Sequence, residues 1–183
     1  MNAKATNPNS ESAEQVAGAA ESISVPYWLL KEGRCKKLGK HAEGGIKYQI
    51  LASDDRASLY IRITENEGGG YFSKEIVPFV QIVQCLQKCD AATPFPSKAL
   101  REAFTGRSSN NAGFLAAILR KEVVLDAAKD AESQHVIAVD LGAWIGAALT
   151  PQGTKIEIAP SSTITSASSS GPAKKTLILP QKK

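Results

Sequence analysis

The alternation of apolar and polar residues predicts an antiparallel sheet in the first half of the chain. Residues 46–51 and 59–64 each alternate with a period of two, which is typical of strands with one buried face. Asp54–Asp55 supplies turn chemistry between them, Gly68–Gly70 supplies the next turn, and 71–76 is predicted as a third strand. Because these connections are too short for parallel crossovers, the strands form a meander.

The apolar period lengthens after Pro78 to that of amphipathic helices. Pro78 suits the first turn of a helix, and Ser97 and Ser108 or Ser109 can cap two further helices. The elements predicted for this half are helices over 78–89, 97–104, 110–121 and around Trp144, and strands over 123–125, 135–139 and 155–158.

The two ends of the chain lack these patterns. Residues 1–23 are rich in Ala, Asn, Ser and Glu, and 159–183 is Ser-rich with a basic and apolar end. Such stretches bury too little apolar surface to offset their ordering entropy, so we expect disordered tails. The predicted fold class is α+β, with an N-terminal antiparallel β-meander over 24–77 and a small helical unit over 78–158 that packs on the sheet.

Composition adds few constraints. The chain has 183 residues, 43% of them apolar, which suffices for one domain with a core or two very small ones. A net charge of +4 permits a nucleic-acid partner without requiring one. With no secretory leader pattern and no apolar run of about 20 residues, we expect a cytoplasmic protein with no membrane contact.

Catalytic motifs are missing from the sequence. The histidines are His41 and His135, and neither a nucleophile elbow nor a His-Glu-x-x-His motif occurs. The cysteines, Cys35, Cys85 and Cys89, lack the second pair of ligands that zinc sites favour, and we expect plain buried thiols. The sequence therefore predicts a binding protein without catalytic residues, metal or cofactor.

The order of helix, helix, turn, helix and hairpin over 79–140 resembles a winged helix-turn-helix DNA-binding domain. The resemblance implies that the helix after the turn enters the major groove and that the hairpin touches the DNA backbone. Asn110 and Asn111 would then meet base edges, because an Asn amide matches adenine. The phosphate contacts that it implies are Arg107, Arg120 and Lys121, with Lys129 on the wing.

The same helix has an alternative role. Its outer face is small and uncharged, so it can pack closely against other helices or form a protein interface, and the hairpin carries carboxylates that repel phosphate. The small residues are Ala112, Gly113, Ala116 and Ala117, and the carboxylates are Asp126, Asp130 and Glu132.

A second candidate surface lies on the predicted meander. The face opposite the aliphatic one carries Lys47, Gln49, Tyr60 and Arg62, and a basic loop precedes it with Arg34, Lys36, Lys37, Lys40 and His41. Rings that stack on bases beside cations that follow phosphates are typical of single-strand binders. The sheet-then-helix order over 46–89 resembles the positive-cofactor-four and Whirly type of single-strand binder. An ordinary solvated sheet face is the alternative.

The main hypothesis is a non-catalytic nucleic-acid binding protein that binds single- or double-stranded DNA, in replication, recombination or transcription. The alternative is a protein–protein adaptor or assembly subunit that uses the Ala/Gly helix face and the C-terminal residues Leu177, Ile178 and Leu179, which can add a strand to a sheet edge. A homo-oligomer is compatible with either. A small-molecule-sensing regulator would need a pocket.

Overall fold

The computed structural model describes residues 24–39, 41–90 and 92–159. Its strands are β1 (Val25–Lys36), β2 (Gly45–Ser53), β3 (Leu59–Asn66), β4 (Ile76–Pro78), β5 (Phe95–Pro96), β6 (Leu125–Ala128), β7 (Ala131–Ile137) and β8 (Thr154–Ile158). The helices are α1 (Phe79–Gln87), a 3-10 helix (Ser97–Ala103), α2 (Asn111–Lys121) and α3 (Leu141–Leu149). None of the described helices is long and apolar enough to cross a membrane. The fold is α+β, as predicted.

Two antiparallel sheets organise these elements. The larger sheet has five strands in the order β4-β3-β2-β1-β8, and the smaller has the order β5-β7-β6. The predicted strands 46–51 and 59–64 are confirmed as β2 and β3, which pair from Ile46 to Ala52. The last strand, β8, pairs with the first, β1, so the larger sheet draws on both sides of the predicted boundary at Pro78.

The third predicted strand, 71–76, has the wrong bounds, since only Ile76–Pro78 pairs with β3. The backbone before Ile76 bonds to the start of α2 instead. The carbonyl of Tyr71 accepts hydrogen bonds from Ser108 and Asn110, and the N–H of Ser73 donates to Asn111. These side chains take the place of a sheet neighbour.

At the start of the core, the sequence predicts an apolar patch over 25–30 that docks on the domain, followed by a basic loop over 33–45. In the structure, the patch and the first residues of that loop form the single strand β1. A bulge at Leu30 shifts the register against β2 between Leu29 and Lys31. A bulge adds one residue, so the side chains beyond it change faces and the period of two is broken. Because of this break, the alternation of side chains along the sequence does not reveal the strand.

One core joins the sheet to the helices. Ile46, Tyr48, Ile50 and Ile61 line the inner face of the larger sheet. Helices α1, α2 and α3 contact this sheet, and the 3-10 helix packs against α1 and α2. The predicted helices 78–89, 110–121 and around Trp144 are confirmed as α1, α2 and α3. A hairpin follows α2 as predicted, but its strands have other bounds than 123–125 and 135–139, since β6 begins only at Leu125 and β7 already at Ala131. The segment 97–104 is a 3-10 helix rather than an α-helix.

Helix α2 ends in a Schellman arrangement with an unusual residue. The N–H of Val124 donates to the carbonyl of Leu119, and the N–H of Val123 donates to that of Arg120. Val123 has φ of 60° and is 64% exposed. This position normally takes glycine, because a β-branched residue is strained in the left-handed region.

We expect Val123→Gly to raise the free energy of unfolding by about 0.5–1 kcal/mol, because relief of left-handed strain exceeds the entropy cost of glycine. Urea unfolding followed by circular dichroism measures the change. Val80→Gly is the matched control, since Val80 is also exposed but lies inside α1, where glycine destabilises. A loss of stability in both variants would contradict the strain account.

Candidate nucleic-acid interface

The candidate interface is the side of the larger sheet opposite the core, which we call the outer face. Strand alternation places seven side chains there that bear on binding: Tyr27, Arg34, Lys47, Gln49, Leu51, Tyr60 and Arg62. The rings of Tyr27 and Tyr60 meet edge to face, with centroids 5.4 Å apart and an interplanar angle of 81°. Leu51 of the intervening strand is fully buried, while both rings stay half-exposed. The outer face therefore carries an aromatic pair on an apolar base.

Two polar side chains with unpaired atoms lie next to the aromatic pair. Arg62 and Gln49 are cross-strand partners. Gln49 donates to Glu32 at 2.8 Å, but its Oε1 and the Nε of Arg62 are buried and have no hydrogen-bond partner in the described part of the chain. Buried polar atoms are nearly always paired in folded proteins, so these two atoms are exceptions that mark this part of the outer face.

The other cations of the outer face have carboxylate partners. Arg34 donates to both oxygens of Glu67, at 2.8 and 2.6 Å, and Lys47 lies 2.9 Å from Glu65. The hydrogen bond from Arg34 lowers the pKa of the Glu67 carboxyl to about 2. The Lys47–Glu65 pair is exposed and contributes little net stability, so a phosphate can replace Glu65 there at small cost. Glu67 is held more firmly, because it also accepts a hydrogen bond from the N–H of Gly45 at 2.8 Å.

The basic loop continues from this end of the outer face. Lys36 and His41 are exposed, and Lys40 lies outside the described residues. The ammonium of Lys37 is 5.7 Å from the ring centroid of Phe114, in the first turn of α2. The loop therefore lies at the same end of the molecule as the start of α2, where the second group of predicted contacts was expected.

The asparagines at that helix start are used inside the fold. Asn111 is buried; its Oδ1 accepts from the N–H of Ser73 at 3.0 Å, and its Nδ2 donates to Gly106 at 3.2 Å. The Nδ2 of Asn110 donates to the carbonyl of Tyr71 at 2.9 Å. These amides hold two loops together, which leaves the Asn111 amide no access to a base.

Arg120 is likewise used to hold the hairpin. It donates to Nδ1 of His135 at 2.9 Å and to the carbonyls of Glu132 and Gln134 at 2.7 and 2.6 Å. Of the other predicted phosphate contacts in this unit, Arg107, Lys121 and Lys129 are exposed.

A serine–histidine contact also occurs in the helical unit. His135 Nε2 lies 2.7 Å from the hydroxyl of Ser97. Because Arg120 donates to Nδ1, the proton of the neutral ring is on Nε2, which donates to Ser97. A nucleophilic serine needs the opposite polarity, with the ring accepting its proton. Burial lowers the pKa of His135 to about 4, which keeps the ring neutral.

The small-residue face of α2 is covered by the protein itself. Ala112, Ala116 and Ala117 are at most 8% exposed, and α2 contacts the 3-10 helix, β6 and the larger sheet. Of the two roles that the sequence left open for this face, internal packing is therefore the one that these three alanines have. The other part of the adaptor alternative, Leu177, Ile178 and Leu179, lies outside the described residues.

Sequence reasoning missed Tyr27, the second ring of the pair. It lies before the bulge at Leu30, in a segment predicted only as a docking patch. The signal was available in part: Val25, Tyr27 and Leu29 alternate with Pro26 and Trp28, but every one of these residues is apolar, so the period did not show.

Comparisons with protein-family models, with curated proteins and with solved structures find no match to this chain. The candidate site therefore rests on its own chemistry.

Proposed function

We propose that the protein is a non-catalytic, cytoplasmic nucleic-acid binding protein that holds a single strand of DNA on its outer face. The observation that carries the proposal is the Tyr27–Tyr60 pair beside Arg62, whose guanidinium has no ion-pair partner in the described residues. A base can stack on an aromatic ring regardless of its sequence, while arginine bonds the adjacent phosphate.

The positions of the residues on the outer face indicate the path that a bound DNA strand would take. From Leu51 to Lys47 on β2 is about 13 Å at the usual rise per residue. A strand stacked on the tyrosines would pass Arg62 and then reach Lys47, Arg34 and Lys36. Glu32, Glu65 and Glu67 lie along the same path, so we expect few phosphates to be neutralised. The salt dependence should be shallow, with a slope of about −2 in log affinity against log salt.

Single-stranded DNA is favoured over a duplex because of α2. A groove-reading helix must be open along one side, and α2 has eight buried residues of eleven. The element order and the hairpin β6–β7 still support the winged-helix likeness of 79–140. In that arrangement a duplex would meet the exposed Arg107 and Lys129 rather than the side of α2.

Fluorescence anisotropy with a labelled single strand and the matching duplex, each at two salt concentrations, tests the proposal. We expect salt-sensitive binding that prefers the single strand and weakens about 5- to 100-fold in Tyr60→Ala. Arg62→Gln should also weaken it, whereas Arg101→Gln, an exposed arginine on the 3-10 helix, is the matched control and should not.

Two results would overturn this assignment. Absence of salt-sensitive binding at micromolar protein removes the nucleic-acid function. Binding that survives Tyr60→Ala and Arg62→Gln but is lost in Arg107→Gln with Lys129→Gln moves the site to the helical unit. Circular dichroism on each variant separates lost binding from lost folding.

A further inference from the structure

A cleft on the opposite side of the molecule from the outer face has the features of a small-molecule site. It lies between the bulge of β1, strand β2 and helix α3, and has a volume of about 280 Å³. Leu30, Ile50, Trp144 and Ala148 give it an apolar lining, and Lys31 and Glu122 are its charged residues. Ligand sites are typically apolar clefts with a few placed polar groups, and this volume suits a single ring or a short branched chain.

Lys31 and Glu122 differ in exposure, and this difference favours an anionic ligand over a cationic one. The Glu122 side chain is only 7% exposed, and its two oxygens accept hydrogen bonds from the Tyr48 hydroxyl and from Lys31 at 2.8 Å. The Lys31 side chain is 52% exposed, and an ammonium has three donors, of which Glu122 takes one. A cation would have to displace Lys31 to reach Glu122, whereas an anion finds free donors on Lys31.

The walls of the cleft are held rigidly. Trp144 stacks on Phe79 with centroids 4.9 Å apart, and its indole N–H donates to the carbonyl of Glu122 at 3.1 Å. Val123, the strained residue at the end of α2, directly follows Glu122 in the chain. Strained, exposed residues beside a cleft are found where a site needs fixed geometry. The bulge at Leu30 turns the neighbouring side chains into the cleft, a use that bulges often have next to binding sites.

We propose that this cleft binds a small monocarboxylate with an aromatic or branched apolar body. The carboxylate pairs with Lys31, and the body packs against Trp144, Leu30 and Ile50. The assignment is independent of nucleic-acid binding, because it uses none of the outer-face residues.

The test follows the indole N–H signal of Trp144 by proton–nitrogen NMR, with Trp28→Phe assigning the two tryptophan signals. The probes are 3-phenylpropionate, its neutral amide and phenethylamine. We expect 3-phenylpropionate to shift the Trp144 signal saturably, with the Trp28 signal unchanged. The amide should bind at least about tenfold more weakly, because it loses the charged contact with Lys31.

Three variants make the result specific. Lys31→Met should weaken 3-phenylpropionate about tenfold, and Lys31→Arg should retain it. Lys155→Met is the matched control, since Lys155 is also a half-exposed, paired lysine but sits over Trp28. Ala148→Phe should fill the cleft and abolish binding in a protein that still melts cooperatively. No saturable shift at millimolar probe, equal binding of acid and amide, or unchanged affinity in Lys31→Met would each overturn the proposal.

Discussion

Replacing Gly33 by alanine is expected to lower the free energy of unfolding by about 2–4 kcal/mol, the combined cost of overpacking and of disturbing a buried hydrogen bond. A Cβ at Gly33 would lie 2.8 Å from Cε1 of Tyr48 and closer still to Cζ and the hydroxyl oxygen. The Tyr48 ring is 1% exposed and cannot move aside without changing its hydrogen bond to Glu122. Burial raises the pKa of the Tyr48 hydroxyl, so it stays protonated and donates that bond.

Urea unfolding of Gly33→Ala against Gly113→Ala measures this effect. Gly113 lies in α2, and a Cβ there would meet nothing within 4 Å. Alanine in a helix is more favourable than glycine, so Gly113→Ala should gain up to about 1 kcal/mol. In a Tyr48→Leu background the cost at Gly33 should shrink. Equal losses in the two single variants would show that the Tyr48 contact is not the cause.

The sequence predicted most elements because each has a single buried face with a regular period. Strands β2 and β3 alternate cleanly, since one face meets the helices and the other meets solvent. Strand β1 did not show, because the bulge at Leu30 breaks its period. In α2 the apolar stripe was recognised, but the sequence left open whether the alanines opposite it pack within the fold or form a protein interface. Alanine is found buried nearly as often as larger apolar residues, and only the packed fold shows that these are covered.

The candidate site was harder to predict than the fold. The polarity of Asn111 and Arg120 suggested contacts to a partner. Both side chains instead form hydrogen bonds with backbone atoms distant in sequence, such as those of Ser73 and Gln134. The reverse holds for Tyr27, whose role depends on the register of β1 and β3 across β2. Sequence gives the residue types that a site needs, whereas long-range pairing decides which of them remain available.

The second large effect that we expect concerns pH and the buried His135. Burial and the nearby Arg120 lower its pKa from 6.5 to about 4. Above pH 6.5 the ring is neutral in the folded and the unfolded chain. As the pH falls from 6.5 towards 4, His135 becomes protonated in the unfolded chain but stays neutral in the folded protein. The free energy of unfolding therefore decreases. Linkage gives a loss of about 2–3 kcal/mol by pH 4.5.

Denaturant unfolding at pH 7, 5.5 and 4.5 measures this loss. The loss between pH 7 and 5.5 is specific to His135, because carboxyls whose pKa the fold lowers, such as Glu67 and Glu75, add to the loss only as the pH approaches their ordinary value of 4.5. His135→Asn should remove most of the pH dependence even if it lowers stability at pH 7, since the titrating group is gone. His41→Asn is the matched control, because His41 is exposed, and should keep the wild-type slope. If stability still falls with pH to the same extent in His135→Asn, other groups cause the acid sensitivity. The assignment of a neutral His135 ring that donates to Ser97 would then also be wrong.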